Sequence, residues 1–197
     1  MYEKLITNLQ NKGYEALYFE NSEDAKNYLN NKIDNKTVGI GGSITIKDMD
    51  LYDLLKTHNN VLWHWMDSEN TKEILQKAKN SEVYLLSVNA LSEDGEIVNI
   101  DGTSNRISAS SFGPQDVYFV VGRNKVTDNL HEAIDRARNV AAPLNAKRLN
   151  KKTPCVIDLK CHDCKGPERI CRNMQILFKA PSGCKYHVII INEDLGY

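Results

Sequence analysis

The sequence predicts an α/β fold: a Rossmann-like, mostly parallel sheet with flanking helices, a β-hairpin insertion and a Cys-rich segment before the last strand. Short apolar runs alternate with amphipathic helical segments, which is typical of parallel βαβ units. A turn signal from Ser92 to Gly95 interrupts that alternation and predicts the hairpin. The chain of 197 residues suits one α/β domain. We therefore expect a single domain over 1–197, with the Cys-rich insertion at about 150–184.

The individual elements follow from local patterns along the chain. Apolar residues at helical spacing in the first twelve positions predict a helix that Gly13 ends. A strand is predicted at 15–20, before a helix capped by Asn21 or Ser22. Further strands are predicted at 37–42, 61–65, 83–88, 116–122 and 185–192, and helices through 49–55, over about 69–80 and from 128 to about 141. We expect Pro143 to end the last of these helices.

Charge and hydropathy exclude several classes of partner. Lys and Arg total 25 against 26 for Asp and Glu, so no net charge attracts nucleic acid or an anionic membrane. No apolar run approaches the ~20 residues of a membrane span, and the first residues lack the apolar core of a signal peptide. We expect a cytoplasmic protein with no nucleic-acid or membrane partner. Thiols stay reduced in that compartment, which favours metal ligation or transient redox chemistry over structural disulfides.

Four of the five cysteines fall within a short segment before the last predicted strand: Cys155, Cys161, Cys164 and Cys171. A Cys-x-x-Cys pair supplies two thiolates from a single turn, as zinc and iron–sulfur sites require. The spacing matches neither a zinc ribbon nor a bacterial ferredoxin, so it does not identify the metal. Buried thiols that bind nothing are the alternative. The sequence thus predicts a zinc or iron–sulfur site at these four residues, with Cys184 outside the motif.

A glycine loop lies between a predicted strand and a helix, at Gly41, Gly42 and Ser43. Ligands of open α/β sheets bind at such positions, where glycine lets backbone amides approach an anion closely. The loop lacks the Walker lysine and the dinucleotide fingerprint, so an ordinary tight turn is the alternative.

A polar run around the hairpin is rich in side chains that position ligands: Asn89, Asp101, Gly102, Asn105 and Arg106. The planar fork of Arg106 can clamp a carboxylate or phosphate. Asn and Asp in such loops more often satisfy the local backbone. Glu93 and Glu96 are candidate acids, bases or nucleophiles, although surface carboxylates without such a role are far commoner.

Three segments, at 38–43, 89–106 and 154–172, together resemble the lactate-utilization domain family over essentially the whole chain. That family is similar to CoA transferases, ribose-5-phosphate isomerases and glucosamine-6-phosphate deaminases. The resemblance implies a Rossmann-like sheet with a site above the strand ends. Carried over by position, it also implies a glycine-serine loop at Gly41–Ser43, an Asp-Gly-x-x-Asn-Arg loop at 101–106 and the four-cysteine motif.

These observations lead to a cytoplasmic protein of organic-acid metabolism that binds a small anionic metabolite, a carboxylate or phosphate, between the two loops. Arg106 would hold the anion, and an iron–sulfur or zinc site would stabilise the tail or relay electrons to redox partner subunits. One alternative is a CoA-transferase-like or sugar-phosphate-isomerase-like enzyme that uses Glu93 or Glu96. Another is a non-catalytic accessory subunit of a redox complex. Whether the protein is an enzyme stays open.

Overall fold

The fold is known from a computed structural model, which describes residues 2–66 and 69–197. The helices are α1 (Glu3–Asn11), α2 (Ser22–Lys32), α3 (Ile44–Asp48), α4 (Leu51–Lys56), α5 (Thr71–Lys79), α6 (Asn105–Ser111), α7 (Leu130–Arg136), α8 (Ala142–Arg148) and α9 (Cys155–Asp158). The strands are β1 (Glu15–Phe19), β2 (Thr37–Ile40), β3 (Asn60–Trp63), β4 (Val83–Leu86), β5 (Ala90–Ser92), β6 (Ile97–Asp101), β7 (Asp116–Gly122), β8 (Val126–Thr127), β9 (Asn173–Leu177) and β10 (Lys185–Ile191).

The main sheet confirms the predicted fold class. Its strand order is β1-β10-β7-β4-β2-β3, and every pairing within it is parallel. The predicted hairpin is formed by β5 and β6, which pair antiparallel. The hairpin belongs to a second, four-stranded sheet of order β8-β5-β6-β9. The sequence did not predict β9, which follows the last cysteine of the motif and pairs antiparallel with β6.

The side chains of the central strands alternate between two buried layers, as expected for a sheet covered on both faces. On β10, Val188 and Ile190 pack in the layer that contains α1, whereas Ile189 and Ile191 pack in the layer that contains α2, α3 and α4. All four of these side chains are fully buried. The apolar run that predicted β10 is continuous because helices cover both faces of the sheet, so consecutive side chains are all buried.

The expectation that Pro143 ends a helix is wrong. A π-helical turn, Ala137–Ala141, follows α7, and the chain continues directly into α8 with Pro143 in its first turn. Proline is tolerated there because the first amides of a helix have no intrahelical acceptor. A wider π turn directly before Pro143 also relieves the clash of its ring with the preceding carbonyls. The helical path therefore runs on to Arg148.

β2, β3 and β4 all end earlier than the sequence predicted, and this releases residues at the edge of the sheet. β2 ends at Ile40 and β3 at Trp63, so the glycine loop, His64 and Trp65 lie beyond the strand ends. The helix predicted through 49–55 is divided into α3 and α4 at Asp50, which has a positive φ of 51°. Within the described ranges, no helix combines the length and apolar character that a membrane crossing requires.

Candidate functional site

A cavity of about 330 Å³ lies beyond the carboxyl ends of β2, β3 and β4. The glycine loop contributes Gly42 and Ser43 to its wall, the end of β3 contributes His64 and Trp65, and the end of β4 contributes Ser87. Parallel α/β sheets bind ligands on this side, outside the carboxyl ends of the strands. The volume is that of a small-metabolite site.

The glycine loop allows two large side chains to pack against it closely. A Cβ atom added at Gly41 would lie 2.9 Å from Cγ of Arg106, and one added at Gly42 would lie 3.3 Å from the Trp65 ring. The Gly41 amide donates to the Leu85 carbonyl at 2.9 Å, so the sheet already uses it. Gly41 therefore lies behind the Arg106 side chain, and Gly42 forms the wall.

Ser43 begins α3 and also borders the cavity. Its hydroxyl accepts a hydrogen bond from the Ile46 amide at 3.2 Å, which is the usual arrangement of an N-cap serine. Within the described residues, the amides of Gly42 and Ser43 form no hydrogen bond. These two amides are therefore available to a ligand in the cavity.

The loop after β6 forms the opposite wall around a buried ion pair. Arg106 donates to Oδ1 of Asp101 from Nε and Nη2, both at 3.2 Å, and Nη2 also donates to the Ile100 carbonyl. Oδ2 of Asp101 accepts from the amides of Arg106 and Ile107 at 2.9 and 3.3 Å. The two side chains are only 13% and 8% exposed. Asp101 thus fixes both the start of α6 and part of the arginine fork.

The amide side chains in this region stabilise the loops that carry the wall. Oδ1 of Asn89 accepts from the Ile100 amide at 2.7 Å, and the Asn89 amide donates to Oδ1 of Asn99 at 3.1 Å. Oδ1 of Asn105 accepts from the Thr103 hydroxyl at 2.7 Å. Most of the predicted ligand-binding residues border the cavity: Gly42, Ser43, Asn89, Asp101, Gly102, Asn105 and Arg106.

Lys125 is a cavity residue that the sequence analysis missed. It is 3% exposed, and its Nζ donates to Thr45 Oγ1 at 2.8 Å and to Ser87 Oγ at 2.9 Å. Among the described residues, no carboxylate forms a salt bridge with it. Burial, and then the nearby guanidinium groups of Arg136 and Arg106, lower the pKa of Lys125 to about 7.

The sequence analysis also missed Arg148, on α8. Its guanidinium lies over the Trp65 ring at 4.9 Å from the ring centroid, and its Nε donates to the Tyr197 hydroxyl at 2.7 Å. The oxygen of the Asn145 side chain accepts a further bond from Nη2 at 2.8 Å. Arg148 is exposed at the cavity mouth, and no carboxylate of the described chain pairs with it.

His64 borders the cavity with a ring nitrogen that has no partner. Its Nδ1 is buried and forms no hydrogen bond to the described residues. Burial lowers the pKa of His64, although Asp101 partly opposes that shift. His64 directly follows β3, and Lys125 lies in the short turn after β7, so their positions beyond strand ends were the signal that could have identified them.

Glu93 and Glu96 lie outside the cavity wall, at the turn of the hairpin against α1. Glu93 forms a salt bridge with Lys4, and Glu96 forms one with Lys12. Burial acts to raise the pKa of Glu96, but hydrogen bonds from Lys12 and Ser92 outweigh it and leave the pKa lowered. The two ion pairs attach the hairpin to α1 and to Lys12, the residue that follows it.

The four cysteines of the motif border one smaller cavity, of about 20 Å³: Cys155, Cys161, Cys164 and Cys171. Arg138 Nη2 donates to Cys161 Sγ at 3.6 Å. Burial, and then the neighbouring thiols, raise the pKa of Cys171 to about 11. Within the part of the chain that the structure describes, no three Cys, His, Asp or Glu side chains are close enough to hold a metal ion. Cys171 also borders the larger cavity, so the two cavities adjoin.

Comparison with known proteins identifies a family and a fold. The sequence profile of the LUD domain family matches residues 2–191. The crystal structure of a DUF162 family protein from Deinococcus radiodurans superposes with a TM-score of 0.55, covering 95% of this chain and 94% of that chain at 11% identity. At that identity the likeness concerns the fold alone. No curated protein matches the chain.

Proposed function

The chain belongs to the LUD domain family, and from that premise we propose that it binds a small organic-acid anion of the lactate type in the 330 Å³ cavity. The observation that carries the proposal is the charge of the wall. The guanidinium groups of Arg106 and Arg148 line the cavity beside the amine of Lys125, whereas Asp101 is the one carboxylate among its described lining residues. An excess of cationic groups over carboxylates in a recessed site favours an anionic ligand.

Two of these groups are suited to different parts of such a ligand. Arg148 has its guanidinium at the mouth, held by Trp65 and Tyr197 and free of any carboxylate among the described residues, so it would bind the ligand's carboxylate. Lys125 lies deeper, beside Ser87, where it would face the hydroxyl or carbonyl carbon of the same ligand. The free amides of Gly42 and Ser43 supply further donors.

The experiment is calorimetric titration of the protein with L-lactate, D-lactate, pyruvate and inorganic phosphate. Replacing Arg148 by Ala removes a charge-assisted hydrogen bond, which contributes about 1.5–3 kcal/mol. We therefore expect Kd to rise by roughly ten- to a hundredfold. Arg106→Lys is expected to weaken binding too, because it loses the planar fork but keeps a cation beside Asp101. Arg106→Ala is less informative, since it would leave the buried Asp101 carboxylate without its partner.

Two variants outside the cavity serve as controls. Arg123→Ala removes an exposed arginine paired with Asp194, and Glu96→Gln removes the carboxylate paired with Lys12. Both are expected to bind like the unmodified protein. Equal affinities for Arg148→Ala and Arg123→Ala, or no binding of any of the four anions, would contradict the proposal. Loss of binding in Glu96→Gln alone would favour the alternative in which Glu96 acts on the ligand.

We also propose that the four-cysteine cavity is a metal site. The thiols are suitable donors and border one cavity, which supports the proposal, but the segment would have to close further around an ion. A cavity of about 20 Å³ has room for roughly one water-sized particle, which favours a single zinc ion over an iron–sulfur cluster. Zinc would contribute folding energy to this irregular segment, whereas a cluster would exchange electrons with a redox partner subunit.

A further inference from the structure

The hydrogen bonds around Lys125 leave one position of its Nζ without a partner among the described residues. The Ser87 hydroxyl donates to the Val120 carbonyl at 2.6 Å, and the Thr45 hydroxyl donates to the Leu195 carbonyl at 3.2 Å. Each hydroxyl has a single proton, so both oxygens can only accept from Nζ of Lys125. The lysine amine is therefore the donor in both bonds.

A neutral amine satisfies this arrangement completely. Its two N–H groups donate to Ser87 and Thr45, and its lone pair is left without a partner. An ammonium group would need a third acceptor, and the described residues provide none. Because Lys125 borders the 330 Å³ cavity, a ligand bound there is the available partner for the lone pair.

We propose that Lys125 is a nucleophile that forms an imine with the carbonyl carbon of a small oxo acid bound in this cavity. The inference rests on the proposed function, which places the ligand's carboxylate at the cationic wall. The amine lone pair adds to the carbonyl carbon, and one proton passes from the nitrogen to the former carbonyl oxygen. The resulting carbinolamine then loses its hydroxyl with a proton from nitrogen as one water molecule. The product is a C=N bond, with no change of oxidation state.

Electrostatics supports this role independently of the hydrogen bonds. A pKa of about 7 leaves roughly half of the Lys125 side chains neutral at pH 7. A lysine with the ordinary pKa of about 10.4 is neutral in only about one molecule in a few thousand at that pH. Lysines that form imines in enzymes are activated in this way, by burial or by neighbouring cations. Both causes act on Lys125.

The test is reductive trapping of the full chain with pyruvate and cyanoborohydride, followed by peptide mapping by mass spectrometry. We expect the peptide that contains Lys125 to gain the mass of pyruvate less one oxygen atom, in a saturable manner. The rate of labelling at Lys125 should level off above about pH 7. Labelling of exposed lysines such as Lys47, which lie outside the cavity, should not saturate with pyruvate. L-Lactate, which lacks the carbonyl group, should compete with the labelling without forming an adduct.

Because sites are mapped on the unmodified protein, the result does not depend on whether a Lys125 variant folds. Calorimetric binding of pyruvate with no adduct at Lys125 would overturn the inference and leave the proposed function intact. Adducts confined to exposed lysines would overturn it equally. If neither binding nor an adduct is detected, the proposed function fails together with the inference. A saturable adduct at Lys125 would support both.

Discussion

Lys125 is an unfavourable residue for stability, because it holds an ionisable amine in a buried position where no carboxylate of the described residues pairs with it. Two hydroxyl groups compensate part of the lost hydration, but they bring no negative charge. Strongly shifted groups of this kind concentrate at functional sites, where a task offsets the cost. The imine formation proposed for Lys125 in the adjoining cavity would be such a task.

Replacing Lys125 by Met is expected to stabilise the protein in a pH-dependent way. The unfolded chain keeps this proton up to about pH 10.4, whereas the folded chain releases it near pH 7, so the stability of the unmodified protein rises with pH across that window. The gain from Lys125→Met should thus be greatest below pH 7, on the order of 4 kcal/mol at about 1.4 kcal/mol per pKa unit. It should shrink towards pH 10.

The measurement is urea unfolding at pH 6, 8 and 10. Lys32→Met, at an exposed position on α2, is the matched control for the loss of a lysine charge. A Lys125→Met variant less stable than the unmodified protein at pH 6 would contradict the assigned environment of the amine.

The sequence identified the wall residues that lie in recognisable loops and missed those that depend on tertiary structure. Arg106 and Asp101 stand out because a polar run follows a strand. Lys125 looks like an ordinary surface lysine, since this residue type is almost never fully buried. Arg148 was missed because of the wrong expectation at Pro143. Once Pro143 was taken to end the helix, nothing placed residue 148 on a helical path back to the cavity.

At the level of elements, the strands of the main sheet were predictable and the second sheet was only partly so. Buried parallel strands are continuous apolar runs, and 116–122 agrees with β7 at both ends. β9 has an exposed start and a mixed sequence, and it exists because the edge of β6 offers it hydrogen bonds. Such pairing depends on a distant partner and leaves little signal in a single sequence.

The Cys-rich segment is an element whose order is expected to depend on metal. Apart from the short α9, it has no regular structure before β9, and its thiols border a cavity without closing on an ion. Anaerobically purified protein should therefore contain about one equivalent of zinc, following the single-ion argument above. Chelation should raise the proteolytic sensitivity of 150–172 and leave the main sheet intact, because that sheet has its own core.

Elemental analysis and an absorption spectrum provide the measurement, and Cys161→Ser with Cys164→Ser is the variant that should lose the metal. Cys184→Ser is the matched control, because Cys184 packs against the layer that contains α1, away from the four-cysteine cavity. Finding iron and sulfide in place of zinc would indicate that the site transfers electrons and is not purely structural. Metal retained in the double variant, or absent from the unmodified protein, would contradict the site.

At the scale of the molecule, the cavity exists because the two sheets meet beyond the same strand ends. β4 lies inside the main sheet, between β7 and β2, and the chain passes from it into β5 and β6 of the second sheet. As a result, the loop after β6 and the glycine loop after β2 line the same cavity. The tail after β10 forms a third side of the cavity. Gly196 lies beside Thr45 and Lys125, and the Tyr197 hydroxyl accepts a hydrogen bond from Arg148. The order of elements could be predicted from the sequence. The meeting of these loops and the tail at one cavity could not, because it depends on the second sheet.

A ligand that bridges these walls is expected to slow hydrogen exchange in segments that are far apart in sequence. With saturating pyruvate or lactate, protection should rise at 42–46, 101–107, 145–149 and 195–197, because a bound anion links both sheets and the tail. The hairpin turn at 93–96 lies outside the cavity and should exchange at an unchanged rate. Arg148→Ala should lose the protection at all four segments together, since they share one ligand. Protection confined to one segment, or spread evenly over the chain, would mean that the anion does not bind between the sheets.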